Sequence, residues 1–223
     1  MDIIENLEKL MDNIPDHVEL VAVSKTKPAS MVRELFEAGH LDFGENKVQE
    51  LVEKHEQLPG DIRWHMVGHL QSNKVKYIAP FVYFVHGVDS LKLLKVLEKE
   101  GRKNDRQINC LLQMHIAKES SKFGLSEDEL KEILASETFR NLEFVKVRGL
   151  MGMATFTDNS ELVREEFQNL KRIFEQLKSD HFREDPEFSV LSMGMSGDYE
   201  VAIEEGSNMI RVGSLIFGPR NTN

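Results

Sequence analysis

Residues 208–214 read NMIRVGS, a short apolar run that ends in a small-residue turn. The segment matters because of its ordinal position. Seven runs of the same kind precede it: LVAVS (20–24), LDFG (41–44), RWHMVG (63–68), FVHGV (84–88), INCLLQMHI (108–116), EFVKVRGLM (143–151) and FSVLSMG (188–194). Helical patterns fill the intervals between them. Eight strands separated by helices in 223 residues predict an α/β fold of the (β/α)8 TIM barrel type rather than an open sheet. Nine residues remain after Ser214, too few for a full last helix. Residues 1–13, MDIIENLEKLMDN, have helical periodicity and are expected to fill that vacancy as an extra N-terminal helix.

The helices carry readable punctuation. Ser90 reads as an N-cap and Gly101 as a stop; Ser126 with Glu129 reads as a capping box; Gly39 and Gly206 stand just past helix ends. After TFTDNS, the residues Val163, Phe167, Leu170, Phe174 and Leu177 recur at steps of four and three, which marks one apolar helix face. KSDHFREDPEF (178–188) is expected to be the loop before the seventh strand. Linkers, repeats and low-complexity stretches are absent, so residues 1–223 are read as a single domain.

Composition narrows the function classes. A formal charge of -10 and a pI near 5.3 oppose nucleic acid and anionic membrane surfaces, so any anion site is small and local. No apolar run approaches membrane-spanning length and the acidic N-terminus is not a signal peptide, which predicts a cytoplasmic protein. Cys110 is the only cysteine; it excludes an internal disulfide and reads as a buried small hydrophobe. His65 and His69 have zinc spacing only if helical; on a strand they are roughly 13 Å apart, and no metal is expected. Ser192 and Ser196 lack the G-x-S-x-G pattern of serine hydrolases.

In TIM barrels the reactive groups stand at the C-terminal ends of the strands, and the loops after strands 7 and 8 commonly hold phosphate. Here those loops are SMGMSGDYE (192–200) and the turn within RVGSLIFG (211–218), with Ser196 and Gly197 placed where the next helix begins. Barrel closure puts strand 1 beside strand 8, and therefore Lys25 of VAVSKTKP (21–28) beside those loops. Lys25 and Lys27, two apart in an extended segment, face the same way. A lysine near a phosphate serves as a countercharge, or as an amine that forms a Schiff base once burial or a neighbouring cation such as Lys27 lowers its pKa. On chemistry alone the candidates are a phosphosugar aldolase and a pyridoxal phosphate (PLP) protein.

The motifs AVSKTKP, FGENKVQE, WHMVGHLQSNK, SKFGL, RGLMGM, LSMGMSGDYEVAI and GSNMIRVGSLIFG, in order from residue 21 to 218, resemble those of the pyridoxal phosphate homeostasis protein family. The resemblance implies a fold type III PLP-binding barrel like the N-terminal domain of alanine racemase. It implies a Schiff base on Lys25, with Lys27 as a second amine that aids release or uptake. It further implies phosphate contacts from Ser196, Gly213 and Ser214, and Arg211 facing the pyridine nitrogen. Asn46 and His65 would line the ring side, and Met195 would add an apolar wall. An arginine stays protonated, so a ring nitrogen facing it stays unprotonated and the ring is a weak electron sink. Racemisation also needs a tyrosine that racemases take from a further C-terminal domain, a role to which Tyr77, Tyr83 and Tyr199 have no evident claim. The expectation is thus a non-enzymatic, monomeric PLP-holding protein that passes PLP to apo PLP-dependent enzymes; the alternative is a fold type III amino-acid racemase.

Overall fold

Each apolar run becomes one short parallel strand. The computed structural model describes residues 2–118 and 123–219. The strands are β1 (Glu19–Val23), β2 (Asp42–Glu45), β3 (Arg63–Met66), β4 (Phe84–Val88), β5 (Ile108–Met114), β6 (Val145–Gly152), β7 (Val190–Ser192) and β8 (Met209–Val212). They pair in sequence order, and β8 returns to β1 with Glu19 opposite Met209 and Val21 opposite Arg211, so the sheet is a closed barrel. The expected (β/α)8 architecture is therefore present. Several strands are shorter than the apolar runs that announced them. The run 188–194 contributes only Val190–Ser192, because its flanks turn into loops.

Around the barrel lie α1 (Ile3–Asp12), α2 (Ala29–Glu37), α3 (Val48–Gln57), α4 (Val75–Ile78) after a 3-10 turn at Ser72–Lys74, α5 (Leu91–Lys103), α6 (Glu127–Ala135) and α7 (Glu137–Arg140). They are followed by α8 (Ser160–Asp180), α9 (Tyr199–Glu204) and α10 (Ser214–Phe217). Ser90 caps α5, and Ser126 with Glu129 closes a reciprocal capping box on α6. Gly39 and Gly206 sit one residue beyond the caps of α2 and α9 at φ of +99° and +94°, which only glycine adopts without strain. Val163, Phe167, Leu170, Phe174 and Leu177 are all buried along α8. Truncating Phe167 to alanine would cost about 3–5 kcal/mol.

Three expectations need correction. Gly101 does not stop α5, which continues to Lys103; an added Cβ there would lie 2.9 Å from the Phe144 Cβ and from the Arg106 carbonyl, so glycine serves close packing. Residues 178–180 belong to α8, and the loop before β7 begins after them. A last helix does follow β8, but as the single turn α10; α1 covers the remainder, burying Ile3, Leu7 and Leu10 and donating from Asn6 Nδ2 to the Ile216 carbonyl at 3.0 Å.

Alternation along the strands separates two layers. Outward residues such as Leu20, Ala22, Phe43, Trp64, Met66 and Cys110 join the helices in the main core. Inward residues build a small apolar plug, Phe84, Leu111 and Met151 with Val190 against it. Beside and above this plug the barrel interior turns polar, with His65, His86, Gln113, Ser192 and Arg211 all buried. That polar layer is the floor of the site.

Candidate functional site

A cleft of about 1040 Å³ opens at the C-terminal ends of the strands. Its wall includes Lys25, Lys27, Asn46, Met195, Ser196, Arg211, Gly213 and Ser214, eight of the nine residues singled out from sequence. The ninth, His65, is not part of it.

The turn after β1, not an extended segment as expected, supplies the lysines: the Lys27 amide donates back to the Ser24 carbonyl at 3.0 Å. Val23 and Lys25 share a face, so the strand's inward side continues into the cleft. The chain then turns through Thr26, a β-branched residue held at φ +64°. Lys27 is more constrained than an auxiliary amine: its Nζ donates to the carbonyls of Phe217 and Pro219, each at 2.9 Å. It therefore ties the turn after β1 to the end of α10. Any direct reaction of this amine would first have to release both carbonyls.

The loops after β7 and β8 are joined. The Gly213 amide donates to Ser196 Oγ at 3.3 Å. An added Cβ at Gly213 would stand 2.8 Å from the Val23 carbonyl, so only glycine lets this turn lie against β1. Ser196 and Gly197 stand in the turn before α9 rather than in its first turn; Asp198 Oδ1 folds that turn by accepting the Met195 amide at 2.6 Å. Asp198 also borders the cleft, and burial raises its carboxyl pKa while the Met195 amide and Arg211 oppose that shift.

Arg211 points inward from β8, 5% exposed, and donates to Ser192 Oγ and to the Gly152 carbonyl. Burial pushes its pKa down to about 10 against the pull of Asp198, so it remains cationic at neutral pH. A guanidinium held this way offers donors and no acceptor at the cleft floor.

His65 lies one layer below, contrary to expectation. The residue that reaches the cleft from the same face of this segment is Val67, two positions further on. His65 Nε2 is 3.1 Å from Asp42 Oδ1, and its Nδ1 is 2.9 Å from His86 Nε2. A carboxylate only accepts, so Nε2 carries a proton; in the neutral ring Nδ1 then accepts and His86 Nε2 donates. Burial, reinforced by His65 and Arg211, holds the His86 pKa well below the usual histidine range.

Other walls come from residues that the motifs did not single out. Gly68 presses the loop after β3 onto that after β2, since an added Cβ would lie 2.4 Å from the Asn46 carbonyl; this fixes Asn46. His69 stacks on Phe123 at 4.1 Å and lies 3.3 Å from Asp89. Phe123 belongs to the SKFGL motif, whose Ser121 and Lys122 lie outside the described residues. Residues 153–158, after β6, form another wall, held from behind by Glu166 of α8. That carboxylate, 4% exposed, accepts from the Thr155 amide and hydroxyl and from the Lys118 amide at 2.7–2.8 Å. Its signal in the sequence was a charge on the apolar stripe of α8. Among the described residues no three His, Cys, Asp or Glu side chains converge as metal ligands, and no helix is long and apolar enough to cross a membrane.

A closed parallel barrel with a lysine at the end of β1, an inward arginine on β8 and small-residue turns after β7 and β8 is a barrel of the alanine racemase N-terminal domain class. The model of that domain family matches residues 2–221. The pyridoxal phosphate homeostasis protein of Aquifex aeolicus is 36% identical, with 99% of each chain covered; that of Escherichia coli K12 is 38% identical, with 99% of this chain and 97% of the relative covered. The chain belongs to the pyridoxal phosphate homeostasis protein family. The structure of PipY from Synechococcus elongatus PCC7942 with PLP bound superposes at TM-score 0.86 with 33% identity, covering 97% of this chain and 100% of that one. An alanine racemase from Clostridium difficile superposes at TM-score 0.74 but only 14% identity, and this chain covers 57% of its length; that likeness concerns the fold alone.

Proposed function

We propose that residues 1–223 form one PLP-binding barrel domain, a cytoplasmic monomer. In this reading it holds the cofactor on Lys25 and yields it to apo PLP-dependent enzymes, with no dedicated catalytic turnover. The observation that carries this reading is the seam between β1 and β8, where Lys25, the joined turns at Ser196 and Gly213, and the buried Arg211 border one cleft. The donor set fits the group: an amine, the hydroxyls of Ser196 and Ser214 on two joined small-residue turns, and a guanidinium at the floor. When bound, PLP supplies an aldehyde to which an amine adds with loss of water, and a ring that can take up negative charge.

The chain's own residues do the rest. Ser196 and Ser214 would offer their hydroxyls to an anion beside the small Gly213 turn, and Lys27 keeps α10 seated beside them. Arg211 would face the ring side and keeps its own protons at neutral pH, which would withhold the positive charge that carbanion chemistry needs. Met195 and Asn46 enclose the flanks, and His65 supports the floor through His86 rather than lining the wall. No tyrosine borders the cleft among the described residues, and Tyr199 Oη is turned to Glu200 Oε1 at 3.3 Å. The acid–base pair of a racemase therefore has no evident second member, which favours holding over turnover.

The test is spectroscopic. Protein loaded with PLP should absorb in the visible, and Lys25→Ala should abolish the band. Borohydride reduction and peptide mass mapping should place the pyridoxyl group on Lys25. A colourless wild-type protein that cannot be loaded would sink the reading, and rapid racemisation of any amino acid, seen by chiral analysis, would replace storage with catalysis.

A further inference from the structure

We propose that Glu45, Lys54 and Glu50 are positioning residues that set the backbone on both sides of Lys25, and through it the place and reactivity of the Lys25 amine. This deepens the reading of Lys25 given above and rests on it.

The group lies behind the β1 turn, on the outer face of the barrel, where helix and sheet otherwise meet through apolar side chains. Glu45, the last residue of β2, is fully buried, and Lys54 of α3 is 5% exposed. Lys54 Nζ uses three donors: to Glu45 Oε1 at 2.6 Å, to Glu50 Oε1 at 3.0 Å and to the Ser24 carbonyl at 2.8 Å. Ser24 Oγ donates to the same Glu45 oxygen at 2.6 Å. Glu50 Oε1 in turn accepts the Thr26 amide at 2.6 Å. The residue before Lys25 is thus held by hydroxyl and carbonyl, and the residue after it by its amide.

Thr26 is where this hold has work to do. At φ +64° a β-branched residue occupies the left-handed region under strain, a conformation that persists only where its surroundings over-determine it. The bond to Glu50 is charge-assisted, of the stronger kind. With Lys27 tied to Phe217 and Pro219, the turn is fastened at positions 24, 26 and 27.

Stability alone is a poor reason for these charges. Removing an ion pair from water costs about as much as the pair returns, and apolar replacements of similar volume are often as stable. Here one Glu45 oxygen, Oε2, even lacks a hydrogen-bond partner. What apolar residues could not supply is directional bonding onto residues 24 and 26. Lys54 also fixes how far α3 stands from the turn, so a shift of the helix would be passed to Lys25.

Reductive methylation of the full-length protein with formaldehyde and cyanoborohydride, resolved by peptide mass spectrometry over a pH series, reads the Lys25 amine directly. The exposed Lys9 and Lys131 serve as internal references. Glu50→Ala should change the Lys25 rate and its pH midpoint relative to those references, by about tenfold in rate, below the ~100-fold that a 1 Å misplacement can produce. Hydrogen exchange should show the Thr26 amide losing protection. Glu50→Gln, whose amide oxygen still accepts that N–H, should recover both, an outcome that a general loss of stability does not yield. Lys54→Met should act in the same direction, but leaves Glu45 buried without its cation and is vulnerable to misfolding; Glu50→Ala, at a side chain 22% exposed, decides the matter alone. A folded Glu50→Ala protein with wild-type Lys25 methylation and Thr26 exchange would overturn the proposal. PLP loading should slow by a similar factor in the same variants. If wild-type protein takes up no PLP, the functional reading falls, while methylation still decides the network.

Discussion

Lys27→Ala removes the tether between the turn after β1 and the end of α10. Two ammonium-to-carbonyl bonds are lost, both 2.9 Å long, at a half-buried side chain. At about 1 kcal/mol net for each bond, below the usual range of about 1.5–3 for a charged donor because the site is partly solvated, the loss is about 2 kcal/mol. For a chain of this size that corresponds to a fall in Tm of about 4–8 °C. If all of it were taken from cofactor binding, affinity would fall by at most about 30-fold. Thermal melts followed by circular dichroism, with and without PLP, measure the first quantity, and titration of the visible band the second. The band itself should persist. Lys27→Arg keeps charged donors but offers no nucleophilic amine, so it should recover most of both losses. An unchanged Tm in Lys27→Ala, or a Lys27→Arg protein that folds normally yet exchanges PLP as poorly as Lys27→Ala, would refute the tether and return Lys27 to direct chemistry.

Further expectations follow from the same geometry. Gly213→Ala places a Cβ 2.8 Å from the Val23 carbonyl; overpacking should cost about 1–3 kcal/mol, read in urea unfolding, and PLP affinity should fall with it. The His86 pKa is depressed in the folded protein, so between that value and the unfolded value of about 6.5 the unfolded chain binds more protons. Stability from this residue is complete above about pH 6.5 and is lost as pH falls through the folded value; His86→Phe should flatten that decline, and an identical pH slope in both proteins would disprove it. Cys110 is fully buried with its pKa raised to about 12, so a thiol reagent should leave it unmodified in native protein and label it on unfolding.

The barrel was legible because its evidence is a count. Eight apolar runs with capped helices between them survive errors of a few residues at each end, as β7 shows. Positions at the mouth were legible where a strand's two-residue period carries an inward face past its end, as from Val23 to Lys25. The same period explains the misplacement of His65: being on the right face is not enough when the residue lies a full layer down. The two-bond tether of Lys27 depends on the C-terminal segment folding back beneath it, a contact across 190 positions that no local pattern announces. Glu45, Lys54 and Glu166 escaped notice because charges on amphipathic helices and strand ends are ordinarily solvated, and only tertiary packing buries these.

Closure of β8 onto β1 has a consequence for synthesis. Lys25 is made before β2, whereas Arg211, Gly213 and the carbonyls that hold Lys27 are made only with and after β8. Contacts this distant in sequence carry a large loop-closure entropy and form late. A ribosome-bound chain therefore carries Lys25 long before it has the Gly213 turn or Arg211. The candidate site is complete only in molecules whose translation has passed β8 and whose β8 has docked on β1.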